Sequence, residues 1–460
     1  MKSIGEKCAV FGIYGKGLDV SRLAFFGLYA LQHRGQESSG IASTDGKKIY
    51  CHKNTGLVSQ VFNESIIKSL PGDIAIGHNR YSTSSGSGIE HVHPIEVPDN
   101  TMTLVHNGNL PSTALLEDFL NKRGINLVGA SDSMLITQAL HLLVKEGKSL
   151  ERAIGEIFPL LTGSFSILIM TKDKLVALRD QFGIRPLSIA RLNGGYVVAS
   201  ETCAFHPIGA TFMRDVNPGE MVTIDEHGLK IKQLAKSKQK LDIFEFVYFS
   251  RPDSILLGKS VYEVRKNFGL QLAQEYRIDA DVIIPVPETA IPVAIGYANS
   301  SGIPLEMGLT KSRYIHRTFI EPEQHIRDQG VKLKLAPLKE VIENKRVIVI
   351  DDSIVRGTTS RQIVKMLFET GAKEVHFLVS SPPVKYPDFY GIDLPRQSDL
   401  LAFDKSVEEM NGYLGSTSLN FLSYDGMIAA TGLNESLFCT SCFNGVYPID
   451  LKERKKEVAY

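Results

Sequence analysis

Tryptophan is absent from this 460-residue chain, and cysteine is scarce: five residues, at positions 8, 51, 203, 439 and 442. Cysteines this few, and odd in number, fit a reducing, cytoplasmic compartment better than a disulfide scaffold. An excess of either charge is also lacking, since 51 Lys+Arg stand against 51 Asp+Glu. Composition therefore gives no support for electrostatic affinity to nucleic acid or to an anionic membrane. No apolar run reaches the roughly 18 residues a membrane helix needs, and the opening MKSIGEK is too short and polar for a signal peptide. There is no internal repeat and no low-complexity segment. What is present is ordinary globular composition, 43% hydrophobic and 22% charged, at a length suited to two or three domains of roughly 150 residues.

The chain reads as two patterns. Up to about residue 235 it is built of short apolar segments bounded by Gly, Asn and Ser, such as CAVFGIYG, GDIAIGHNRYS, MTLVHNGNL and GSFSILIM. Runs of this length rich in Val, Ile and Tyr predict strands. Apolar residues recurring every three or four predict helices over 21–32 and 131–145. The expectation is an α+β sheet-on-sheet sandwich with flanking helices. IKQLAKSKQKL (231–241) is polar and basic and reads as a linker. Beyond it, ADVIIPVP and KRVIVIDDS are continuous apolar runs, as in strands buried on both faces of a parallel sheet. Predicted helices at 261–276, 290–300 and 360–370 alternate with them, which means an α/β doubly wound domain.

The sharpest local feature is VIVIDDSIVRGTTS, residues 347–360. A buried strand ends in Asp351 and Asp352, and a loop then leads into a helix, where an open α/β sheet binds ligands. Amides and hydroxyls of Gly357, Thr358, Thr359 and Ser360 suit a phosphate at the helix N-terminus. Two carboxylates beside an anion site make sense if they hold Mg²⁺ or ribose hydroxyls. The bland reading is a helix cap followed by a turn. The stretch resembles the phosphoribosyl-pyrophosphate (PRPP) motif of type I phosphoribosyltransferases. That resemblance implies a 5-phosphate on residues 357–360, with Ser353 and Arg356 in the same loop. It implies ribose hydroxyls on the two Asp, and Mg²⁺ shared by Thr289, Asp351 and Asp352. Lys311, Arg313, Arg317 and Arg327 suit a mobile lid over a pyrophosphate.

In the first half, Cys8 precedes a predicted strand. Four polar clusters share its domain: HRGQESSG (33–40), GHNRYST (77–83), HNGNL (106–110) and SDS (131–133). Each alone reads as a turn, and Cys8 alone as a small buried hydrophobe. Together, and in this order, they resemble class II (N-terminal nucleophile) glutamine amidotransferase domains across residues 8–230. Such domains use the α-amine of their terminal Cys as base, an amine whose ordinary pKa is about 7.7–8.0. The resemblance thus implies removal of residues 1–7 as a propeptide. It assigns Cys8 as nucleophile, the Asn107 side chain and Gly108 N–H as oxyanion hole, Arg80 to the glutamine α-carboxylate and Asp132 to its α-ammonium. Asp132 also suits a helix N-cap.

The resulting division is propeptide 1–7, amidotransferase 8–235, junction 236–260, phosphoribosyltransferase 261–410 and C-terminal segment 411–460. Such a pair on one chain resembles the enzyme family that passes ammonia from glutamine to PRPP, opening purine synthesis. The family implies a homotetramer, purine-nucleotide feedback inhibitors, and a closed ammonia path for which Tyr248 at the junction is a channel candidate. A branch of that family holds a [4Fe–4S] cluster on four Cys. Here CTSC supplies Cys439 and Cys442, but Asp242 and Asp388 stand at the other two positions. Two carboxylates suit iron–sulfur chemistry poorly, so no cluster is expected, with a mixed Cys₂Asp₂ site as the alternative. Cys51 and Cys203 read as packed thiols. Two other functions compete with this one: a PRPP-sensing regulator with a dead amidotransferase domain, and amination of a sugar phosphate. The first should lack the nucleophile, the oxyanion Asn or the acidic pair, and the second should lack DDSIVRGTTS.

Overall fold

The computed structural model describes residues 8–81, 91–127, 129–312, 335–392, 394 and 396–459. The short strands of the first half form two stacked antiparallel sheets. One runs, edge to edge, Thr211–Asp215, Ser188–Leu192, Gly195–Ala199, Ala9–Gly15, Ile74–Arg80, Ser38–Thr44 and Ile49–Thr55. The other runs Gly228–Gln233, Glu220–Asp225, Leu175–Arg179, Thr162–Thr171, Met102–Ser112 and Ile95–Glu96. Between them Val10, Ile76, Val105, Leu168, Met170 and Val222 make one dry layer. Strand alternation sends the neighbours of these residues outward. There Phe11 and Ile13 meet helix Val20–Ala30, and Leu104 and Ile167 meet helices Ala114–Asn121, Asp132–Lys145 and Leu150–Ile157. The predicted sandwich with flanking helices is thus present. Ile231–Gln233, read as the start of a linker, extend the edge strand instead: their β-pairing with Glu220–Val222 outweighs their polar composition.

The second half holds a parallel sheet in the order Val282–Pro285, Arg346–Asp351, Glu374–Val379, Ser418–Phe421. Both faces are covered, which is why VIIP (282–285) and VIVI (347–350) are continuous apolar runs. Ile283, Ile348, Ile350 and Leu378 pack under helices Val261–Glu275 and Ile291–Ser301, and Val282, Val347, Val349 and Phe377 under Thr358–Glu369 and Val407–Leu414. Its fourth strand comes from the stretch the sequence set apart as a C-terminal segment. No helix among the described residues is long and apolar enough to cross a membrane.

Candidate active sites and the joint between them

Cys8 is the first described residue and sits half-buried at the head of a central strand. The ladder between Ala9–Gly15 and Ile74–Arg80 ends on the pair Ala9 and Asn79, which makes Cys8 and Arg80 the next positions along it. Asn107 approaches from the other sheet. Its Nδ2 lies 3.5 Å from Ser200 Oγ, which accepts a 2.9 Å hydrogen bond from Val10 N. Asp132 is the first residue of its helix, and the capping role falls to Ser131, whose hydroxyl accepts from Met134 N. That frees Asp132 Oδ2 to accept from Leu110 N at 3.1 Å, tying it to the strand that carries Asn107 and Gly108. Cys8 and Arg80 thus stand at strand ends and Asp132 at a helix start, while Asn107 and Gly108 come from the middle of strand Met102–Ser112.

Next to Asn107 three buried histidines cluster, with the His78 and His93 rings 4.3 Å apart and His106 joined to both through its backbone. His78 Nε2 bonds the His106 carbonyl at 2.9 Å, and His106 N donates to His93 Nδ1 at 3.2 Å. His106 Nδ1 meets Ser133 Oγ at 2.9 Å, and that hydroxyl donates to Asp132 Oδ1 at 3.1 Å. Burial drives the His78 pKa down to about 3, and His93 and His106 also fall, so the cluster is neutral at ordinary pH. The cluster ties Asp132 to the strand that carries Asn107 and Gly108.

The second site lies at the carboxyl ends of the parallel strands. Pro285 and Ile350 are register partners, so PVPET (285–289) and Asp351–Asp352 emerge side by side. Asp352 hydrogen-bonds the Ser353 hydroxyl at 2.7 Å and the Thr289 side chain, which brings Thr289 and the two Asp together. Burial, and then the charge of Asp352, raise Asp351 well above the usual carboxylate range. Burial lifts Asp352 to about 6, moderated by Ser353, the buried Arg265 guanidinium and Thr289. A dry pair of carboxylates with so little counter-charge could hold a cation. Gly357 caps helix Thr358–Glu369 at φ +73°, and a Cβ there would lie 2.5 Å from Leu401 Cδ2. Arg356 reaches outward to Asp399, at 3.4 Å, and Ser360 is buried in the first turn. Lys311 is exposed at the end of strand Leu309–Lys311, paired with Leu335. Arg313, Arg317 and Arg327, like residues 1–7, lie outside the described residues.

Sequence reasoning missed what lies between the two sites. Arg34, from the HRGQESSG cluster, grips Glu245 through 2.8 and 3.0 Å hydrogen bonds and also bonds Glu201. Arg185 pairs with the same Glu245 at 2.5 Å and with Asp242 at 3.5 Å. Glu201 further accepts from Arg251 N at 2.9 Å and Ser254 Oγ at 2.7 Å. All of Arg34, Arg185, Glu201, Asp242 and Glu245 are buried. Burial pushes Glu245 up, but Arg185 and Arg34 overcome it and bring it down to about 2. The available signal was FEFVYFSRPDS, where a lone Glu and Arg interrupt an aromatic run. Tyr248 lies in the single helical turn Glu245–Phe249, half-buried, its ring 5.3 Å from that of Phe249.

Among the described residues two further groups bring ligand-type side chains together. His33, Glu201 and Cys203 bring their ligand atoms within 4.8 Å of one another. Both Glu201 oxygens are already engaged by Arg34, His33, Arg251 and Ser254, so an ion would have to displace a buried guanidinium. Cys439 and Cys442 do gather with Asp242 and Asp388: Asp242 is the register partner of Cys439, and burial with the two carboxylate charges pushes both thiols up. Asp388 Oδ1, however, accepts from Tyr390 N and Ile392 N, and the Asp242 oxygens take Phe244 N and Arg185. Two Cys and two Asp, with Asp388 Oδ1 and both Asp242 oxygens already accepting hydrogen bonds, are a poor fit for an iron–sulfur cluster, which is held by four thiolates.

The glutamine amidotransferase domain family matches residues 78–207, and the phosphoribosyl transferase domain family residues 257–382. Over 455 residues the chain is 47% identical to the amidophosphoribosyltransferase of Synechocystis sp., covering 97% of this chain and 92% of that protein. The chain belongs to the amidophosphoribosyltransferase family. It is 43% identical to the Bacillus subtilis member over 460 residues, 98% of this chain and 96% of that protein. A solved structure of the B. subtilis glutamine PRPP amidotransferase, complexed with ADP and GMP, superposes with a TM-score of 0.90 at 42% identity, covering 97% of this chain and 98% of that one. Family membership makes the chain a glycosyltransferase-type enzyme with an amidotransferase domain, and it disfavours the regulator reading.

Proposed function

We propose that this chain converts glutamine, PRPP and water to 5-phosphoribosylamine, glutamate and pyrophosphate, the first committed step of purine synthesis. The observation that carries this is the presence of Cys8, Asn107 and Asp132 in one half together with the buried acidic pair and glycine-led helix in the other. Cys8 is the nucleophile: its thiol attacks the glutamine carboxamide carbon while its own α-amine, exposed by loss of residues 1–7, takes the proton. The oxyanion that forms is held by Asn107 Nδ2 and Gly108 N–H. The long 3.5 Å contact of Asn107 with Ser200 is weak enough to be exchanged for that charge. Arg80 binds the α-carboxylate in two-pronged fashion and Asp132 the α-ammonium. Ammonia departs, and water hydrolyses the thioester to glutamate.

In the second site Gly357, Thr358, Thr359 and Ser360 hold the 5-phosphate, with Ser353, Arg356, Lys311 and Arg313 as further contacts. Thr289, Asp351 and Asp352 would hold Mg²⁺, directly or through water, which when bound offsets the charge of the departing pyrophosphate. Ammonia adds to C1 of PRPP as the C1–O bond to pyrophosphate breaks. Tyr248 lines the path between the sites. Purine nucleotides act as feedback inhibitors, a reading supported by the relative solved with ADP and GMP. The enzyme works in the cytoplasm as a homotetramer.

Glutamate release, measured with and without PRPP–Mg²⁺ on a chain whose intact mass begins at Cys8, tests the whole reading. Release strongly raised by PRPP is expected. Release indifferent to PRPP would overturn the acceptor assignment, and none from a processed chain would overturn the nucleophile. Iron and acid-labile sulfide should be near zero in the same sample, and four of each per chain would reinstate a cluster.

A further inference from the structure

We propose that Asp388, from the phosphoribosyltransferase half, is a positioning residue for the oxyanion pair of the amidotransferase half, an inference that rests on the roles given above to Asn107 and Gly108. Asn109 and Ser164 are cross-strand partners, one step beyond Gly108 and Phe165. Both side chains leave their own sheet. Asn109 Nδ2 donates to the Phe389 carbonyl at 2.8 Å, and the Ser164 hydroxyl donates to the carbonyl of Tyr390. The next residue, Gly391, lies against Gly108 itself: a Cβ there would fall 3.2–3.4 Å from the Gly108 C, Cα and O atoms. Three consecutive residues of one half thus bracket the backbone that carries the oxyanion donor of the other.

Asp388 shapes those three residues. Its Oδ1 accepts from Tyr390 N at 2.9 Å and Ile392 N at 2.6 Å, curling the loop so that the Phe389 and Tyr390 carbonyls face outward to Asn109 and Ser164. The Tyr390 ring is buried and its hydroxyl is held by Ile449, donating to the carbonyl at 2.7 Å. Asp388 thereby has a task that needs no metal. An N–H donor aimed at charge that develops in the transition state stabilises it more than the bound substrate, so loosening that donor lowers kcat and spares KM. A residue that served only the overall fold would not produce that split.

The test compares the wild type with Asp388→Ala and Asp388→Asn in two assays on the full chain. One is glutamine hydrolysis with PRPP–Mg²⁺, and the other is phosphoribosylamine formation from PRPP and ammonium chloride, which needs only the second site. Deleting an oxyanion donor typically costs about 10²–10³ in kcat, so displacing one should cost at least about tenfold. Asp388→Ala is expected to lose that in glutamine kcat, with glutamine KM within about twofold and ammonia-dependent synthesis retained. Asp388→Asn keeps a carbonyl oxygen for both amides and is expected to restore kcat. An unchanged kcat in Asp388→Ala, or an equal loss in Asp388→Asn, would overturn the inference. Should Asp388→Ala fail to fold, the Asn109→Ala/Ser164→Ala double variant decides by the same criteria, since it removes only the two hooks. Asn107→Ala, run alongside, separates the premises: full activity there would overturn the oxyanion reading and this inference with it. Loss in Asn107→Ala but not in the other variants would overturn this inference alone.

Discussion

Arg34 and Glu245, 211 residues apart in the chain, form a two-pronged ion pair in which neither side chain reaches solvent. Each is also committed elsewhere, Arg34 to Glu201 and Glu245 to Arg185 and the Ser250 hydroxyl. Removing one partner of such a pair strands a buried charge, at a cost of about 3–5 kcal/mol. Glu245→Ala should therefore unfold at markedly lower urea than wild type, with Glu245→Gln in between because its amide oxygen still accepts. A Glu245→Ala midpoint equal to wild type would mean the pair is worth nothing.

The histidine cluster predicts acid sensitivity in the glutaminase half. An ordinary imidazole binds its proton near pH 6.5, while His78 in the fold does so only near 3. The unfolded chain hence binds more protons between those values, and the stability present above 6.5 is lost as pH falls toward 3, at about 1.4 kcal/mol per pH unit. His78→Gln keeps a nitrogen donor near the His106 carbonyl but cannot titrate. Urea midpoints between pH 7 and 5 should fall less steeply for that variant than for wild type.

The acidic pair works in the opposite sense. Asp352 is raised to about 6, so its contribution is fully present below pH 3.8 and is lost as pH rises through 6, where both carboxylates must ionise in a dry site. Mg²⁺ relieves that penalty but must displace a proton at lower pH. The rise in melting temperature on adding Mg²⁺ should be larger at pH 7.5 than at pH 5, and Asp352→Asn should erase the difference. An equal rise at both values would place the cation elsewhere.

Gly357→Ala should weaken the PRPP site specifically. A Cβ at φ +73° costs on the order of 1–2 kcal/mol and would also press on Leu401. PRPP KM should rise about tenfold, while glutamine hydrolysis without PRPP stays at its wild-type rate.

Much of this was legible because it is local. The DDSIVRGTTS strand-to-helix turn is specified by adjacent residues, and the helix at Asp132–Lys145 begins within one residue of its predicted start. Cys8 and Asn107 were nameable from motif order. What could not be read is what depends on distant pairing. Ser200 becomes Asn107's neighbour only because Gly195–Ala199 pairs with Ala9–Gly15. In the sequence Asp388 stands out only as a missing cysteine; its bonds to Tyr390 and Ile392 point the loop at Asn109, a partner far away in the chain that no local pattern announces.

Lys236, Ser237 and Lys238 are exposed and invite division of the chain at that point. A cut there would leave Arg34, Arg185 and Glu201 on one fragment and Asp242, Glu245 and Ser254 on the other. Nicked protein should stay a single particle, while a separately expressed fragment ending at Lys236 would bare two arginines to a surface shaped for their partners. An engineer wishing to transplant this ammonia source onto another acceptor enzyme should place the seam after Ser254, where the counterions travel with the arginines.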